Sequence, residues 1–292
     1  MSKNLALAAG LLISSFHLEA QKSGLDSLAH FGRQILEHSE FSVRDSTNQW
    51  FLERLSAHLK TEAGFVDPLK SLTNVMRLQD EDQRFSLVTW QMPDRAYHYK
   101  RFGLIAVRTQ DGQIKVHHLQ DDLAQIENLW VQSFTPERWP GAIYYRLIPE
   151  KTGDNRFTLL GLIMEETLTR KVVEVLELKP NGEVSFGASI FRIDQIMDKT
   201  LQRPPKRLVF SYNAKYSATV NWHEEEGKII MDHLAPPDAK MKGLYQSYGP
   251  DFSYDALYWE DGWWHLEKGV QFNSDQESKP APPPQPLDLG PR

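Results

Sequence analysis

The residues whose types and spacing could do chemistry fall in one stretch, Asp232 to Trp259. Asp232 and His233 close an apolar run, Ile229-Ile230-Met231, at the point where a strand would leave its sheet. Tyr248-Gly249-Pro250-Asp251 follows, then Tyr254 and Asp255, with Trp259 beyond. Carboxylate, imidazole and phenol groups converging on one loop suit a cation, a sugar or a peptide. The candidate binding set is therefore Asp232, His233, Tyr248, Asp251, Tyr254, Asp255 and Trp259. A structural reading competes with it. Asp232 is well placed to accept backbone amides that hold the loop, and Gly249-Pro250-Asp251 has the composition of a turn.

Other chemistries find less support. Asp251, Ser253 and Asp255 alternate as calcium ligands often do, but no glycine stands at the turn position and no Glu closes the loop. His117 and His118 are adjacent, so a regular strand sends them to opposite faces and away from a shared zinc. His223 with Glu224 to Glu226 reads as a solvated hairpin tip, and no His-Glu-x-x-His motif occurs. No Gly-x-Ser-x-Gly elbow is present. Glu165 and Glu166 could join another carboxylate for glycoside hydrolysis only if the fold sets the required separation. No catalytic residue is assigned, and neither a metal nor a cofactor is expected.

The elements that must position these residues are mostly strands. From Arg84 onward, five candidate hairpins recur around tight turns, among them Gln110-Asp111-Gly112, Pro180-Asn181-Gly182 and Glu260-Asp261-Gly262. Asp-Gly and Asn-Gly mark hairpins because type I′ turns need positive φ at both central residues. The expected fold is mainly β, an antiparallel meander of hairpins (a curled sheet, barrel-like or two-layer). The alternative is a β-propeller-like arrangement, although no blade-length repeat is visible. Helical spacing of Leu25, Leu28, Phe31 and Ile35, and later of Phe51, Leu55 and Leu59, predicts a helical hairpin within residues 21–75. The β domain then spans 76–272. Two loops exceed hairpin length: Asp121 to Pro140, which carries Trp130, Phe134 and Trp139, and Pro236 to Tyr254. Long loops on β scaffolds are where function concentrates. Trp263 and Trp264 must face opposite ways on a regular strand, so one of them is a candidate exposed platform unless both faces are covered.

The first 20 residues read as a signal peptide: Lys3 as the charged start, Leu5 to Phe16 as the apolar run, and cleavage after Ala20. No later stretch approaches membrane-spanning length, so no integral membrane segment is expected once the signal is removed. The 292 residues contain no cysteine, which excludes disulfides, a thiol nucleophile and Cys-ligated zinc. A formal net charge of −6, without a dense Lys/Arg stripe, argues against nucleic acid as the partner. Residues 273–292 are Pro-rich and lack apolar periodicity, the composition of a disordered tail.

Four phrases carry a resemblance: Phe85-Ser86-Leu87-Val88-Thr89-Trp90, Gly141-Ala142-Ile143-Tyr144-Tyr145, Asp232-His233-Leu234, and Tyr248-Gly249-Pro250-Asp251 with Ser253-Tyr254-Asp255-Ala256. Together they resemble an uncharacterised family of secreted or periplasmic proteins from Gram-negative bacteria. The resemblance implies a periplasmic or envelope location and brings no activity, ligand or site. Two functions are expected from the residues themselves. The first is a non-enzymatic protein that binds an envelope partner, protein or glycan, through the loops after Asp232. The second is a periplasmic hydrolase built on His233 and nearby carboxylates.

Overall fold

The computed structural model describes residues 24–95, 98–149, 155–197 and 199–272. The expected signal peptide and the Pro-rich tail lie outside the described residues. The chain opens with a helix over 24–37, α1, followed by α2 (Phe41–Leu59) and a short α3 (Glu62–Val66). Phe51, Leu55 and Leu59 recur every four residues and so share one face of α2, and all three are fully buried. Thr61 caps α3 by accepting the Gly64 N–H at 3.0 Å.

Three antiparallel sheets follow. The first has the order β1-β2-β3-β4 (Met76–Gln79, Phe85–Arg95, His98–Arg108, Ile114–Gln120). The second has the order β11-β7-β6-β5 (Leu208–Asn213, Leu168–Leu178, Arg156–Met164, Ile143–Leu147), with β8 (Val184–Phe186) paired to β7. A two-residue pair, β9 (Gln195–Ile196) and β10 (Lys199–Thr200), stands apart. The third sheet has the order β12-β13-β14-β15 (Val220–His223, Lys228–Ala235, Gly249–Glu260, Trp263–Val270).

Strand alternation explains how the layers stack, because successive side chains leave opposite faces. On β2, Val88, Trp90 and Met92 meet the helices, while Phe85 and Leu87 meet the second sheet. The Trp90 indole N–H donates to the buried Asn48 amide at 2.7 Å, which fixes α2 on this sheet. On β7, Val172 and Leu176 face the first sheet, while Val173 and Val175 face the third. That second interface is completed by Phe210, Ile229, Met231, Leu257 and Trp264. The protein is thus mainly β, with helices, first sheet, second sheet and third sheet in succession. The sheets are stacked layers joined by three apolar cores. They do not radiate as propeller blades, and among the described residues they form no closed barrel.

The hairpin turns sit where the sequence predicts them. Asp261 and Gly262 take φ of 50° and 81°, the pair of positive values that a type I′ turn needs, whereas at Asp111-Gly112 and Asn181-Gly182 the glycine alone is positive, at 81° and 77°, so those turns are not type I′. The expected loop Pro236 to Tyr254 is shorter than predicted, because β14 already begins at Gly249 and places Asp251, Tyr254 and Asp255 on a strand. The long ladder of β14 with β13 supplies the backbone partners that the turn-like composition of Gly249-Pro250-Asp251 concealed.

Candidate functional site

The β13–β14 ladder shifts register between Asp232 and Leu234. Such an irregularity re-aims side chains. Here His233 Nδ1 lies 2.8 Å from Asp255 Oδ2, and the other oxygen of Asp255 accepts the Gly269 N–H at 3.0 Å. The Asp255 hydrogen bond raises the His233 pKa above its ordinary value, against the effect of burial. Asp232 turns elsewhere. One of its oxygens accepts the Thr219 N–H at 2.6 Å and the Thr219 hydroxyl at 3.0 Å, tying β13 to the segment that leads into β12.

The other predicted residues spread out. Tyr248 is fully buried in the core between the second and third sheets, and its hydroxyl accepts the Gly243 N–H at 2.9 Å. Asp251 accepts both the N–H and the hydroxyl of Ser253, at 3.0 and 2.7 Å. Tyr254 meets the Phe272 ring edge-on at 5.4 Å. Trp259 pairs with Trp264 across β14 and β15 with rings 5.4 Å apart, so it sits at the margin of the core. Its neighbour Trp263 is half-buried, with the Arg192 guanidinium 5.4 Å from its ring. Thus His233 and Asp255 come together, while Asp232, Tyr248 and Trp259 serve separate local contacts. No group of three or more His, Asp or Glu side chains suited to a metal occurs among the described residues.

Several large apolar side chains stand exposed near the start of β14. Phe252 is 93% exposed and Leu244 58%. Tyr216 and Met241 are also exposed. They come from three segments that meet around Gly249. The Tyr216 ring packs on Gly249, and the Asn213 N–H donates to the Tyr248 carbonyl at 3.0 Å. Phe252 follows three residues later and holds φ of 68°, a left-handed conformation that is unfavourable for an aromatic residue. Exposed Lys215, Lys240 and Lys242 alternate with these apolar side chains along the chain.

A concave feature lies beside them. A cleft of about 660 Å³ opens between the start of β3, residues 123–130, the β6–β7 turn and Tyr245. Its deepest charges are arginines. Arg101 donates to Asp121 at 2.7 Å and to the Met164 carbonyl at 3.2 Å, and Arg170 pairs with Glu165. Burial, reinforced by the nearby Arg101 charge, pushes the Arg170 pKa down to about 10. Lys199 lies 5.4 Å from the Trp130 ring. The long loop forming one wall is fastened from behind by Arg207. Its guanidinium donates to Glu174 at 2.7 Å, to the Gln132 carbonyl at 2.8 Å and also to the Leu129 carbonyl. Both members of this pair are completely buried, and burial raises the Glu174 pKa against the pull of Arg207.

Sequence reasoning marked the loop carrying Trp130 as overlong and weighed Glu165, but it missed Arg101, Arg170, Lys199 and Phe252. The only local signal for Phe252 was an aromatic residue between Asp251 and Ser253. Searches of family models, of curated proteins and of solved structures return no match to this chain.

Proposed function

We propose that this chain is a non-enzymatic protein of the periplasm or the extracellular space that binds an envelope partner through the loops after Asp232, and that the partner is an anionic lipid surface. The location rests on the signal-like order of Lys3, Leu5 to Phe16 and Ala20. The observation that carries the binding reading is Phe252, held almost fully in solvent on a strained backbone. A positive φ also occurs at Leu69, Gln83, Met197 and Asp261, but of these five Phe252 alone is a large hydrophobic left in solvent. Tyr216, Met241 and Leu244 extend the apolar ridge, and Lys215, Lys240 and Lys242 supply positive charge beside it. Apolar and aromatic side chains flanked by lysines suit the boundary between headgroups and acyl chains. The charge of −6 on the whole chain opposes attraction of other faces to the same surface.

The hydrolase reading keeps one supporting observation, the His233–Asp255 hydrogen bond, which has the form of a base and its orienting carboxylate. No hydroxyl nucleophile is hydrogen-bonded to the other ring nitrogen among the described residues, so the pair fits a strand fastening better.

Co-sedimentation with vesicles tests the proposal. The protein should pellet with vesicles of phosphatidylglycerol and phosphatidylcholine, less so in high salt, and weakly with phosphatidylcholine alone. Phe252→Ser with Leu244→Ser should abolish pelleting. Equal binding by the double variant, or no binding to either vesicle, would overturn it.

A further inference from the structure

The cleft poses a different chemical question from the ridge. Its lining carries three cations, Arg101, Arg170 and Lys199, against three carboxylates, Glu127, Glu165 and Glu166. An anionic ligand would gain from the first set and be repelled by the second, and a cationic ligand would meet the reverse. A wholly apolar ligand would cover the Arg101–Asp121 and Arg170–Glu165 pairs without replacing their water, which is costly. The class that satisfies such a surface is uncharged and polyhydroxylated. A hydroxyl both donates and accepts, so one hydroxyl can bridge a guanidinium N–H and a neighbouring carboxylate oxygen.

The pairs leave capacity for this. A guanidinium has five N–H donors, and the Arg101 bonds to Asp121 and Met164 use two of its nitrogens, Nε and one terminal group. Both arginines are held in place, with Arg101 11% and Arg170 19% exposed, so little side-chain entropy remains to be lost on binding. The remaining wall mixes rings and aliphatic side chains, Tyr99, Trp130 and Tyr245 among them, with the polar side chains of His98, Asn128, Thr167 and Ser211. Amphipathic rings of this kind offer an apolar face beside polar groups. A sugar ring has the matching character, C–H groups on its faces and hydroxyls around its edge. The volume of about 660 Å³ falls within the range of small-ligand sites.

We propose that this cleft is a binding site for a short, uncharged oligosaccharide. The cleft shares no lining residue with the apolar ridge beside it, so vesicle binding and sugar binding are separable by substitution. Chemical-shift mapping and calorimetry on the full chain, with neutral trisaccharides of glucose, galactose and N-acetylglucosamine, test it. Inorganic phosphate and laurate serve as charged and amphiphilic controls. At least one trisaccharide should bind with Kd of about 1 mM or tighter. The shifted amides should cluster at residues 99–101, 123–130 and 164–170. Salt should leave the Kd unchanged within about twofold, since the ligand carries no charge. Glu225→Gln, on the exposed β12–β13 turn outside the cleft, should fold normally and leave sugar binding within about threefold, whereas Trp130→Phe should weaken it by about tenfold. The proposal fails if none of the three sugars shifts these residues at about ten times that concentration, or if phosphate or laurate binds here more tightly than every sugar.

Discussion

The ridge and the cleft are neighbours built from loops of the same stack, and they treat apolar surface in opposite ways. The ridge leaves Phe252, Leu244, Tyr216 and Met241 exposed, with Lys215, Lys240 and Lys242 beside Tyr216 and Met241 in the chain and Asp251 beside Phe252. The cleft turns aromatic rings inward and balances three cations with three carboxylates. Their foundations differ as well. The cleft wall hangs on Arg207 and Glu174, both fully buried. The strand leading to the ridge is held by the half-exposed Asp232 and Thr219. Buried, fully bonded charge makes a rigid wall that a small ligand can find preformed. An exposed ridge needs only display, and its partner supplies the desolvation.

This contrast can be broken most severely at Arg207. Arg207→Ala leaves the buried Glu174 carboxyl without its cation and frees the carbonyls of Leu129, Gln132 and Phe186. Removing one partner of a buried pair costs about 3–5 kcal/mol, to be read from urea unfolding. Any protein that stays folded should lose the cleft and retain vesicle binding.

Asp232→Asn comes next. Both Thr219 bonds go to one oxygen, so an amide can keep the acceptor there but loses the charge that strengthens them, and the expected loss is about 1 kcal/mol. An unchanged or raised Tm would remove Asp232 from the supports of the third sheet and return it to the candidate binding groups.

The smallest effect is electrostatic. His233 binds its proton more tightly in the folded chain than in the unfolded one, because of Asp255. Its stabilisation is therefore complete below about pH 6.5 and is lost as pH rises through the raised folded value. Tm should fall slightly over that window in the wild type, and His233→Gln should flatten the profile. A wild-type Tm that rises across the same window would contradict the pairing.

How much of this was legible in the sequence depended on distance along the chain. Hairpins at Asp111-Gly112 and Asn181-Gly182 were readable because positive φ restricts the residues allowed there. The helical face of Phe51, Leu55 and Leu59 was readable from its period. β11 was not, because it pairs with β7 across a long insertion and has no turn of its own to announce it. Arg207 and Glu174, 33 positions apart, carry no local mark of their pairing. The cleft draws Tyr99 and Tyr245 from opposite ends of the β region, and only the stacking of sheets brings them to one wall. His233 and Asp255 were singled out together because they flank one loop, yet the bond between them depends on a register shift that composition does not reveal.

Phe252→Gly tests most directly whether Phe252 is displayed for a lipid surface at a cost to the backbone. Glycine accepts φ of 68° without a Cβ penalty, so the substitution relieves strain while deleting the ring. The account predicts stability within about 1 kcal/mol of wild type, or higher, together with loss of binding to phosphatidylglycerol vesicles. A variant that still binds those vesicles as wild type does, or that unfolds because the ring was needed for packing, would contradict it.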